Sequence, residues 1–475
     1  MTTRSSQIGL RVHELDITNY ECNEIDLGRL FADTYKDEVR YEPIEKTFYK
    51  FNYKAGVWKQ CTQNTIERYI EDFLKVDCVE LVKRIKNKNK QLEYEKWIRR
   101  QRTNAAINGI IKGVKRQKSV EVFKHQFDLQ SRLLGLTNGV LDLKTLEMRK
   151  GEKKDMITMQ AKVLYNEQTT DSTWSDFLKG VSGQDTELYE YLIRTIAYAM
   201  QGNPREHCFF ILLGKRTRNG KSTFVNGLTY FFGSYSRTLQ PQSLSKNRIS
   251  KAGSANPDIV KLKGARFVNI AEADEHLTLD VALIKMLTGQ DHVNARSLYK
   301  DYEEFINQSV FFLHANRLPV IKDATLFTSN RVIVIPFNQY FDDKIADRDL
   351  AEKLLGQEAL SGLLNLIIYF IEKYRGVPIK DNLPQKVVDA TMDYEKEFDP
   401  LGWFLKNHLS IRRGKWTNMK EIYNGCLKCL KSDLPILATQ KRLTTELKTR
   451  GYEITRRNTG NGLLGFLLKD ENVLP

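Results

Sequence analysis

The chain has 475 residues, a formal net charge of +15 and an apolar content of 41%. This composition predicts a globular protein of about three domains. The sequence has no apolar run near 18 residues and no signal-like N-terminus, which argues against a membrane or secreted protein. We therefore expect a soluble cytoplasmic protein with no membrane partner. The six cysteines show no paired framework, and Cys426 and Cys429 are interpreted as inert thiols rather than a metal site.

Positive charge is concentrated in two segments. From Lys83 to Lys118 the chain carries 13 Lys and Arg against two Glu, and from Lys406 to Lys469 it carries 14 against four acids. Charge clustered in this way predicts contact with nucleic acid on either side of the central region. The alternative is that each segment is only a solvated face.

The first 200 residues predict mixed α/β structure. Helical patterns over 26–35 and 65–74 flank a strand-like hairpin over 48–58, and residues 81–127 predict strongly basic helices. Two further helical patterns follow over 174–200. The apolar stripe of the basic helices is predicted to consist of Trp97, Ile107, Ile110 and Ile111.

The stretch 209–224, FFILLGKRTRNGKSTF, has the pattern of strand, glycine-rich turn and helix. In such a turn, backbone N–H groups and the helix dipole favour bound phosphate. Lys221 is predicted to reach the β- and γ-phosphates of ATP, and the Ser222 hydroxyl to bind Mg²⁺. The predicted nucleotide-binding residues are Gly214, Asn219, Gly220, Lys221, Ser222 and Thr223.

This loop departs from the usual motif in its length. Five residues separate Gly214 and Gly220, where the standard phosphate-binding loop has about four. We therefore expect a slightly enlarged loop. The alternative interpretation is a helix-capping loop that contains Gly-Lys-Ser by chance.

A second apolar strand, within RFVNIAEADE over 266–275, ends in acids. A strand end delivers carboxylates beside the phosphate loop, where one can hold Mg²⁺ and another can polarise the attacking water. Glu272 is predicted to be the catalytic carboxylate, and Glu272 and Asp274 are predicted metal ligands. Asp274 and Glu275 remain alternatives for the catalytic role.

Two more apolar strands carry a polar residue at one end. Asn316 closes the strand that begins at Val310, where it is predicted to orient the hydrolytic water as a sensor. Arg331 precedes the strand that runs to Phe337 and is predicted to act in trans, as an arginine finger on a neighbour's γ-phosphate. An ordinary surface arginine is the alternative for Arg331.

Residues 401–475 predict a basic module of helices over 416–430 and 439–450, followed by a hairpin with a glycine-rich tip. This order predicts a winged helix that lays its second helix in the major groove of duplex DNA. A protein-docking module is the alternative. The predicted DNA-contacting residues are Lys441, Arg442 and Lys448 on the helix, with Arg456 and Arg457 in the wing.

The motifs occur in the order GKRTRNGKST, RFVNIAEADE, LTGQDHVNARSLYKDYEEF, FFLHANRLPVI and RVIVIPF. Over residues 20–345 this order resembles the superfamily 3 helicases, of the phage and plasmid primase-helicase type related to the poxvirus primase-helicase. Length and pI further suggest similarity to the replication initiator helicases of staphylococcal pathogenicity islands and related mobile elements.

The resemblance implies a channel hairpin in a homo-hexameric ring. The stretch 287–302 matches the family's B′ motif, whose hairpin grips single-stranded DNA in the central channel. Tyr299 and Lys300 are then expected to contact the strand by stacking and by charge, with Arg296 and Lys285 as weaker candidates. Larger relatives carry an upstream primase domain for which this chain has no room, so priming is not expected.

The combined prediction for the fold is an α/β protein with an AAA+ type P-loop ATPase core, a mixed α/β N-terminal domain and a C-terminal winged helix. The expected domains are 1–130 for the N-terminal basic domain, 131–200 for a helical collar, 201–345 for the helicase core, 346–400 for a helical lid and 401–475 for the winged helix.

The combined prediction for function is an ATP- and Mg²⁺-dependent 3′-to-5′ DNA helicase that initiates replication of a mobile element, with the direction implied by the resemblance. Its C-terminal module would bind the duplex origin while the ring unwinds DNA. The alternatives are an ATP-switched DNA clamp or transcriptional regulator that does not unwind, and a primase-helicase with cryptic primase activity.

Overall fold

The computed structural model describes residues 14–246, 256–271, 277–296, 302–321, 323, 325–342, 347–430 and 434–469. The chain divides into two compact units. The first unit comprises residues up to 169 together with 230–235, and the second comprises 170–229 together with the chain from 236 onward.

The first unit contains helices and two small antiparallel sheets. Its helices are α1 (Glu24–Tyr35), α2 (Gln63–Asp72), α3 (Cys78–Lys83), α4 (Lys88–Arg100) and α5 (Asn104–Val114). Its sheets are formed by β1 (Val39–Glu42), β2 (Thr47–Asn52) and β3 (Val57–Cys61), and by β4 (Leu133–Leu136), β5 (Gly139–Asp142) and β6 (Glu147–Arg149). The predicted hairpin and the helices on either side of it are confirmed.

The basic segment of the first unit folds as short separate helices with an apolar inner face. The predicted apolar stripe is buried on α4 and α5, whereas Arg99 and Arg100 are exposed. Helices α1 and α5 approach so closely that a Cβ on Gly28 would lie 2.6 Å from the Gly113 backbone. Residues 133–149 fold as strands, so only the later part of the segment 131–200 is helical.

The second unit is built on one parallel sheet with helices around it. Its elements up to residue 398 are α6 (Thr173–Ser182), α7 (Thr186–Met200), β7 (Phe209–Leu213), α8 (Lys221–Phe232), β8 (Ser236–Leu239), α9 (Pro257–Val260), β9 (Phe267–Ile270), α10 (Val281–Thr288), β10 (His292–Arg296), β11 (Tyr302–Ile306), β12 (Val310–Ala315), α11 (Thr325–Thr328), β13 (Val332–Pro336), α12 (Leu350–Lys353), α13 (Gln357–Lys373) and α14 (Gln385–Phe398).

The five strands of the parallel sheet lie in the order β13-β7-β12-β9-β8. Every residue of β7, β9 and β13 is buried, which is why these strands are continuous apolar runs rather than alternating ones. The ring of Phe210 stacks on that of Phe312 in the neighbouring strand, with centroids 5.2 Å apart. Because all neighbouring pairs are parallel, the carboxyl ends of the strands share one edge of the sheet.

The C-terminal part of the second unit packs three helices against an antiparallel sheet. Its elements are α15 (Pro400–His408), β14 (Leu409–Asn418), α16 (Met419–Cys429), α17 (Gln440–Thr449), β15 (Ile454–Arg457) and β16 (Gly460–Leu468). The strand order is β14-β16-β15. We call residues 400–469 the C-terminal module.

The sequence prediction missed β14 in this module. Trp416 was placed at the start of a helix, but it lies in β14 and pairs with Leu464 of β16. The helix begins at Met419, where the Asn418 side chain accepts a hydrogen bond from Lys420 N at 2.8 Å. Five consecutive residues of the ten in β14 are exposed, so its sequence lacks the apolar alternation by which strands are recognised.

Arg450 holds the end of α17 against the start of α15. Its guanidinium donates to both carboxylate oxygens of Asp399, at 2.8 and 3.1 Å, and to Glu446 at 3.0 Å. Asp399 is 4% exposed and also accepts a hydrogen bond from Gly402 N at the start of α15. The ion pair therefore joins two helices of the C-terminal module and completes a helix cap.

We expect Arg450→Ala to destabilise the C-terminal module by roughly 3 kcal/mol, because it leaves the Asp399 carboxylate buried without its partner. Native-state hydrogen exchange of α15 and α17 measures the local free energy of opening. Arg413→Ala, at an exposed arginine of β14, is the control and is expected to change it by less than about 0.5 kcal/mol. Equal effects of the two substitutions would contradict this account of the Asp399 pair.

Candidate nucleotide-binding site

The turn between β7 and α8 is held by backbone hydrogen bonds from both neighbouring strands. Gly214 N donates to Ala315 O at 3.1 Å, and Phe341 N, which follows β13, donates to Arg218 O at 2.9 Å. Gly220 has φ +83°, which favours glycine, and a Cβ there would lie 2.6 Å from Val181 Cγ1. The turn is therefore fixed in position before the helix begins.

Asn219 braces the turn from inside. Its side chain is buried, with Nδ2 donating to Arg216 O at 2.6 Å and Oδ1 accepting from Lys221 N at 3.3 Å. A Cβ on Gly214 would collide with Asn219 Nδ2 and lie 2.9 Å from Lys221 Nζ. Only glycine fits at position 214 while the two side chains keep this arrangement.

Lys221 is the centre of the site. Its ammonium donates to Gly214 O at 2.8 Å, Ala315 O at 2.9 Å and Asn316 Oδ1 at 2.7 Å. The side chain is only 5% exposed. A lysine at the first turn of α8 thus lies at the carboxyl ends of β7 and β12, where the helix dipole also favours an anion.

The sheet brings Asn316 to this lysine, as the strand pattern predicts. Asn316 directly follows β12, which pairs with β7 in the register Ala315 to Leu213. Ser222 and Thr223 follow Lys221 on α8, with Ser222 exposed and Thr223 half-buried. The roles of these residues as sensor, magnesium ligand and nucleotide contact stay predictions.

The predicted carboxylates Glu272, Asp274 and Glu275 lie outside the described residues. The strand that leads to them, β9, ends at Ile270, which pairs with Leu313 of β12. One strand spacing is about 4.8 Å, so the described end of β9 lies roughly 10 Å from β7, at the same edge of the sheet. The assignment of the catalytic carboxylate stays a prediction.

A cavity of about 640 Å³ opens beside the phosphate loop, a size typical of small-molecule sites. Gly220 and Thr223 line one side, and Phe177 of α6 and Phe341 bring aromatic rings. No motif in the sequence points to these two phenylalanines. They reach the loop from elements about 40 residues before it and 120 residues after it, a contact that only the tertiary fold creates.

Charged groups also line this cavity. Lys353 Nζ donates to Asp347 at 2.6 Å, and this hydrogen bond lowers the pKa of the Asp347 carboxyl and raises the pKa of the Lys353 ammonium. Both groups therefore stay charged near neutral pH. Arg348 adds a second cation to the same wall.

Arg331 lies at the opposite edge of the sheet from Lys221. It precedes β13, and its carbonyl accepts from Phe209 N at the start of β7. The five residues of β7 separate it from the phosphate loop by roughly 17 Å. Its guanidinium donates to Thr288 Oγ1 at 2.8 Å and to Lys285 O at 3.2 Å. Arg331 and Lys221 of one chain are therefore not brought together.

Strands β10 and β11 pair antiparallel, with His292 opposite Ile306 and Arg296 opposite Tyr302, as expected for the two arms of the hairpin that the resemblance implies. Arg296 ends β10 and lies over the Tyr302 ring at 5.3 Å from the centroid. Tyr299 and Lys300, which follow β10, lie outside the described residues. Lys285 lies on α10, outside the two strands, and its Nζ donates to Thr325 Oγ1.

The predicted DNA-contacting residues of the C-terminal module are on its surface. Lys441, Arg442 and Lys448 are exposed on α17, and Arg456 and Arg457 are exposed on β15. Arg457 lies over the Trp416 ring at 5.2 Å. The DNA contacts of these five residues stay predictions.

The residues around Lys221 fit a nucleoside triphosphate with its magnesium ion. The turn supplies backbone N–H groups, a lysine and a hydroxyl, and the adjacent cavity has room and aromatic walls for a base. Within the described ranges, no group of three or more His, Cys, Asp or Glu could hold a metal ion. A magnesium ion bound by phosphates, one hydroxyl and water does not require such a group.

Fold and site together define a mixed α/β protein whose parallel sheet carries a phosphate-loop type site. Residues 28–183, about a third of the chain, match the protein family described as D5 N terminal like. Within the described part of the chain, none of the helices has the length and apolar composition needed to cross a bilayer.

The chain is similar to viral proteins named as helicases. "Putative helicase L207/L206" of Acanthamoeba polyphaga mimivirus is 29% identical over 369 residues, which cover 71% of this chain and 38% of that protein. "Putative helicase 184R" of Invertebrate iridescent virus 6 is 27% identical over 342 residues, covering 65% and 35%. The chain therefore spans less than two fifths of the length of these relatives.

Among solved structures, the apo C-terminal region of NrS-1 aligns over 91% of this chain and 97% of its own. The TM-score is 0.44 and the sequence identity 11%.

We expect Lys221→Ala to weaken the binding of a nucleoside triphosphate by about ten- to hundred-fold, because it removes a charged donor to phosphate. Lys215→Ala is the matched control, because Lys215 is an exposed lysine of the same loop, and its effect is expected to stay within about three-fold. Titration with a fluorescent ATP analogue measures both. Similar affinities for the two variants would show that Lys221 is not the phosphate-binding lysine.

Proposed function

We propose that the chain is the motor part of an ATP-dependent DNA helicase of the superfamily 3 primase-helicase type. The observation that carries this proposal is the convergence of Lys221 and Asn316 at the carboxyl edge of the parallel sheet, beside a cavity large enough for a nucleotide. The similarity to viral proteins named as helicases supports DNA unwinding as the use of the ATPase site.

In this mechanism ATP supplies the phosphoanhydride bond whose hydrolysis drives movement along DNA. Lys221 would transfer its hydrogen bonds from the carbonyl oxygens of Gly214 and Ala315 to phosphate oxygens, and Ser222 would bind Mg²⁺. Glu272, or its alternatives Asp274 and Glu275, would accept a proton from the attacking water. Asn316 would orient that water while keeping its contact with Lys221.

The position of Arg331 supports a site shared between subunits. Roughly 17 Å of sheet separate it from Lys221 in its own chain, so it cannot serve as an arginine finger there. In a head-to-tail ring, the edge that carries Arg331 in one subunit can face the phosphate loop of the next. To do so, the guanidinium must exchange its bonds to Thr288 and Lys285 for the neighbour's γ-phosphate.

The C-terminal module is proposed to be a winged helix that binds a duplex origin. Supporting this are its order of helix, strand, two helices and hairpin, and the exposed cations on α17 and β15. The channel hairpin β10–β11 would hold the single strand, with Tyr299 and Lys300 following β10. The AAA+ assignment, the five domain boundaries, the hexamer, the cytoplasmic location and the narrower identification as the initiator of a staphylococcal island or related mobile element stay predictions.

Unwinding of a forked duplex tests the proposed function directly. With ATP and Mg²⁺, we expect the wild type and Lys215→Ala to release the labelled strand, and Lys221→Ala to release none at the same concentration. If the wild type hydrolyses ATP and binds DNA but releases no strand, the ATP-switched clamp or regulator replaces the helicase. Primer synthesis on a single-stranded template would instead point to the primase-helicase alternative.

Mixing two inactive variants tests the shared site. Lys221→Ala and Arg331→Ala are each expected to lose ATP hydrolysis, because each lacks one half of every site. In rings assembled from an equal mixture, about a quarter of the sites combine an intact Lys221 with an intact Arg331 from the neighbour. We therefore expect hydrolysis to return to about a quarter of the wild-type rate, and no recovery would reject Arg331 as the trans-acting residue.

A further inference from the structure

Strand β14 is interrupted by a basic protrusion that no sequence motif indicated. Its residues pair with β16 up to Ile411, opposite Phe466, and again from Trp416, opposite Leu464. Residues 412–415 of β14 thus stand opposite the single residue Gly465. We call residues 411–415, with the sequence IRRGK, the β14 bulge.

Glycines on both strands permit this bulge. Gly414 has φ +78° and Gly465 has φ +85°, both in the left-handed region that favours glycine. Apart from atoms of its chain neighbours, a Cβ on either glycine would meet no heavy atom within 4 Å. The bulge therefore projects into open space and does not fill a gap in the module.

The bulge combines cations and an apolar side chain at the surface. Arg412, Arg413 and Lys415 are exposed, and in the described part of the chain no hydrogen bond or ion pair holds their charged groups. Arg450 of the same module differs, because Asp399 and Glu446 bind its guanidinium. Ile411, at the start of the bulge, is 82% exposed.

Trp416 links the bulge to the wing. It directly follows Lys415, and its ring packs on Gly462, where a Cβ would collide with it. Arg457, beside the turn between β15 and β16, lies over the same ring at 5.2 Å. Along the backbone of β16, Gly465 beside the bulge and Gly460 at that turn are five residues apart, roughly 17 Å. The cations of β14 and β15 therefore lie on either side of β16, with Trp416 and Arg457 in contact between them.

We propose that the β14 bulge is a second contact point of the C-terminal module with duplex DNA. Arg412, Arg413 and Lys415 bind phosphates of the backbone, and Ile411 packs against the adjacent sugars. Cations without protein partners are the groups that gain most from phosphate and from the release of its counterions. The proposal rests on the proposed function only in taking DNA as the partner, and it adds a contact outside the helix and wing.

The dependence of duplex affinity on salt tests this proposal, because each phosphate contact contributes about 0.9 to the slope of log K against log salt concentration. We expect Arg412→Ala, Arg413→Ala and Lys415→Ala together to reduce the slope by roughly two to three. Fluorescence anisotropy of the full chain with a labelled duplex, without nucleotide, measures it. Arg412→Lys with Arg413→Lys keeps the charges and is expected to keep the slope. Ile411→Ala is expected to weaken binding without changing the slope.

A second triple variant controls for net charge. Lys75→Ala, Lys261→Ala and Lys386→Ala remove the same charge from lysines that pair with Glu71, Asp258 and Asp185. An equal loss of slope in both triple variants, or no loss in the bulge variant, would overturn the proposal. An equal loss for single-stranded DNA of the same length would also overturn it, because the contact would then not be specific to the duplex.

The outcome is separable from that of the proposed function. The slope is measured without ATP, whereas the helicase is judged by hydrolysis and strand release. If the wild type unwinds DNA but the bulge variant keeps its slope, only the bulge assignment fails. If the wild type neither hydrolyses ATP nor unwinds DNA, but the bulge variant loses slope, the helicase proposal fails and the duplex contact stands.

Discussion

The hydrogen bonds of the Lys221 ammonium are the constraint on which the central site depends. A buried ammonium is costly unless polar groups surround it, and here Gly214, Ala315 and Asn316 each supply an oxygen. Those oxygens come from the ends of β7 and β12, so they meet only if the two strands keep their register. A slip of one residue would turn Asn316 to the other face of the sheet. The apolar packing that fixes the register of β7 and β12 therefore also places the oxygens that bind the Lys221 ammonium.

Because the site depends on buried strands and their register, its strands could be predicted from the sequence, whereas its cavity could not. Apolar runs predicted β7, β9, β12 and β13, because strands that are buried on both faces consist almost entirely of apolar residues. The rule that parallel strands end at one edge then placed Asn316 near Lys221. The cavity could not be predicted in this way, since Phe177 and Phe341 belong to distant segments. Strand β14 was missed because its exposed cations hide the alternation that strands usually show.

The direction of the strands also separates two predicted roles, the sensor Asn316 and the trans-acting Arg331, whose relative positions could not be predicted from the sequence. Residues after a strand and residues before a strand lie at opposite edges, which places Asn316 with Lys221 and Arg331 far from both. The bonds of Arg331 to Thr288 and Lys285 hold it against α10 in the single chain. A catalytic role for Arg331 thus requires a second copy of the protein, whereas nucleotide binding at Lys221 does not.

The C-terminal module uses the same residue type for opposite purposes. Arg450 donates hydrogen bonds to Asp399 and Glu446, so its charged group joins α15 to α17. Arg412 and Arg413 stand on a bulge that two glycines allow and that open space surrounds. The sequence alone cannot separate these arginines, because the difference lies in which carboxylates the fold brings near. Since the internal pair already stabilises the module, the exposed cations can bind a partner without weakening the fold that presents them.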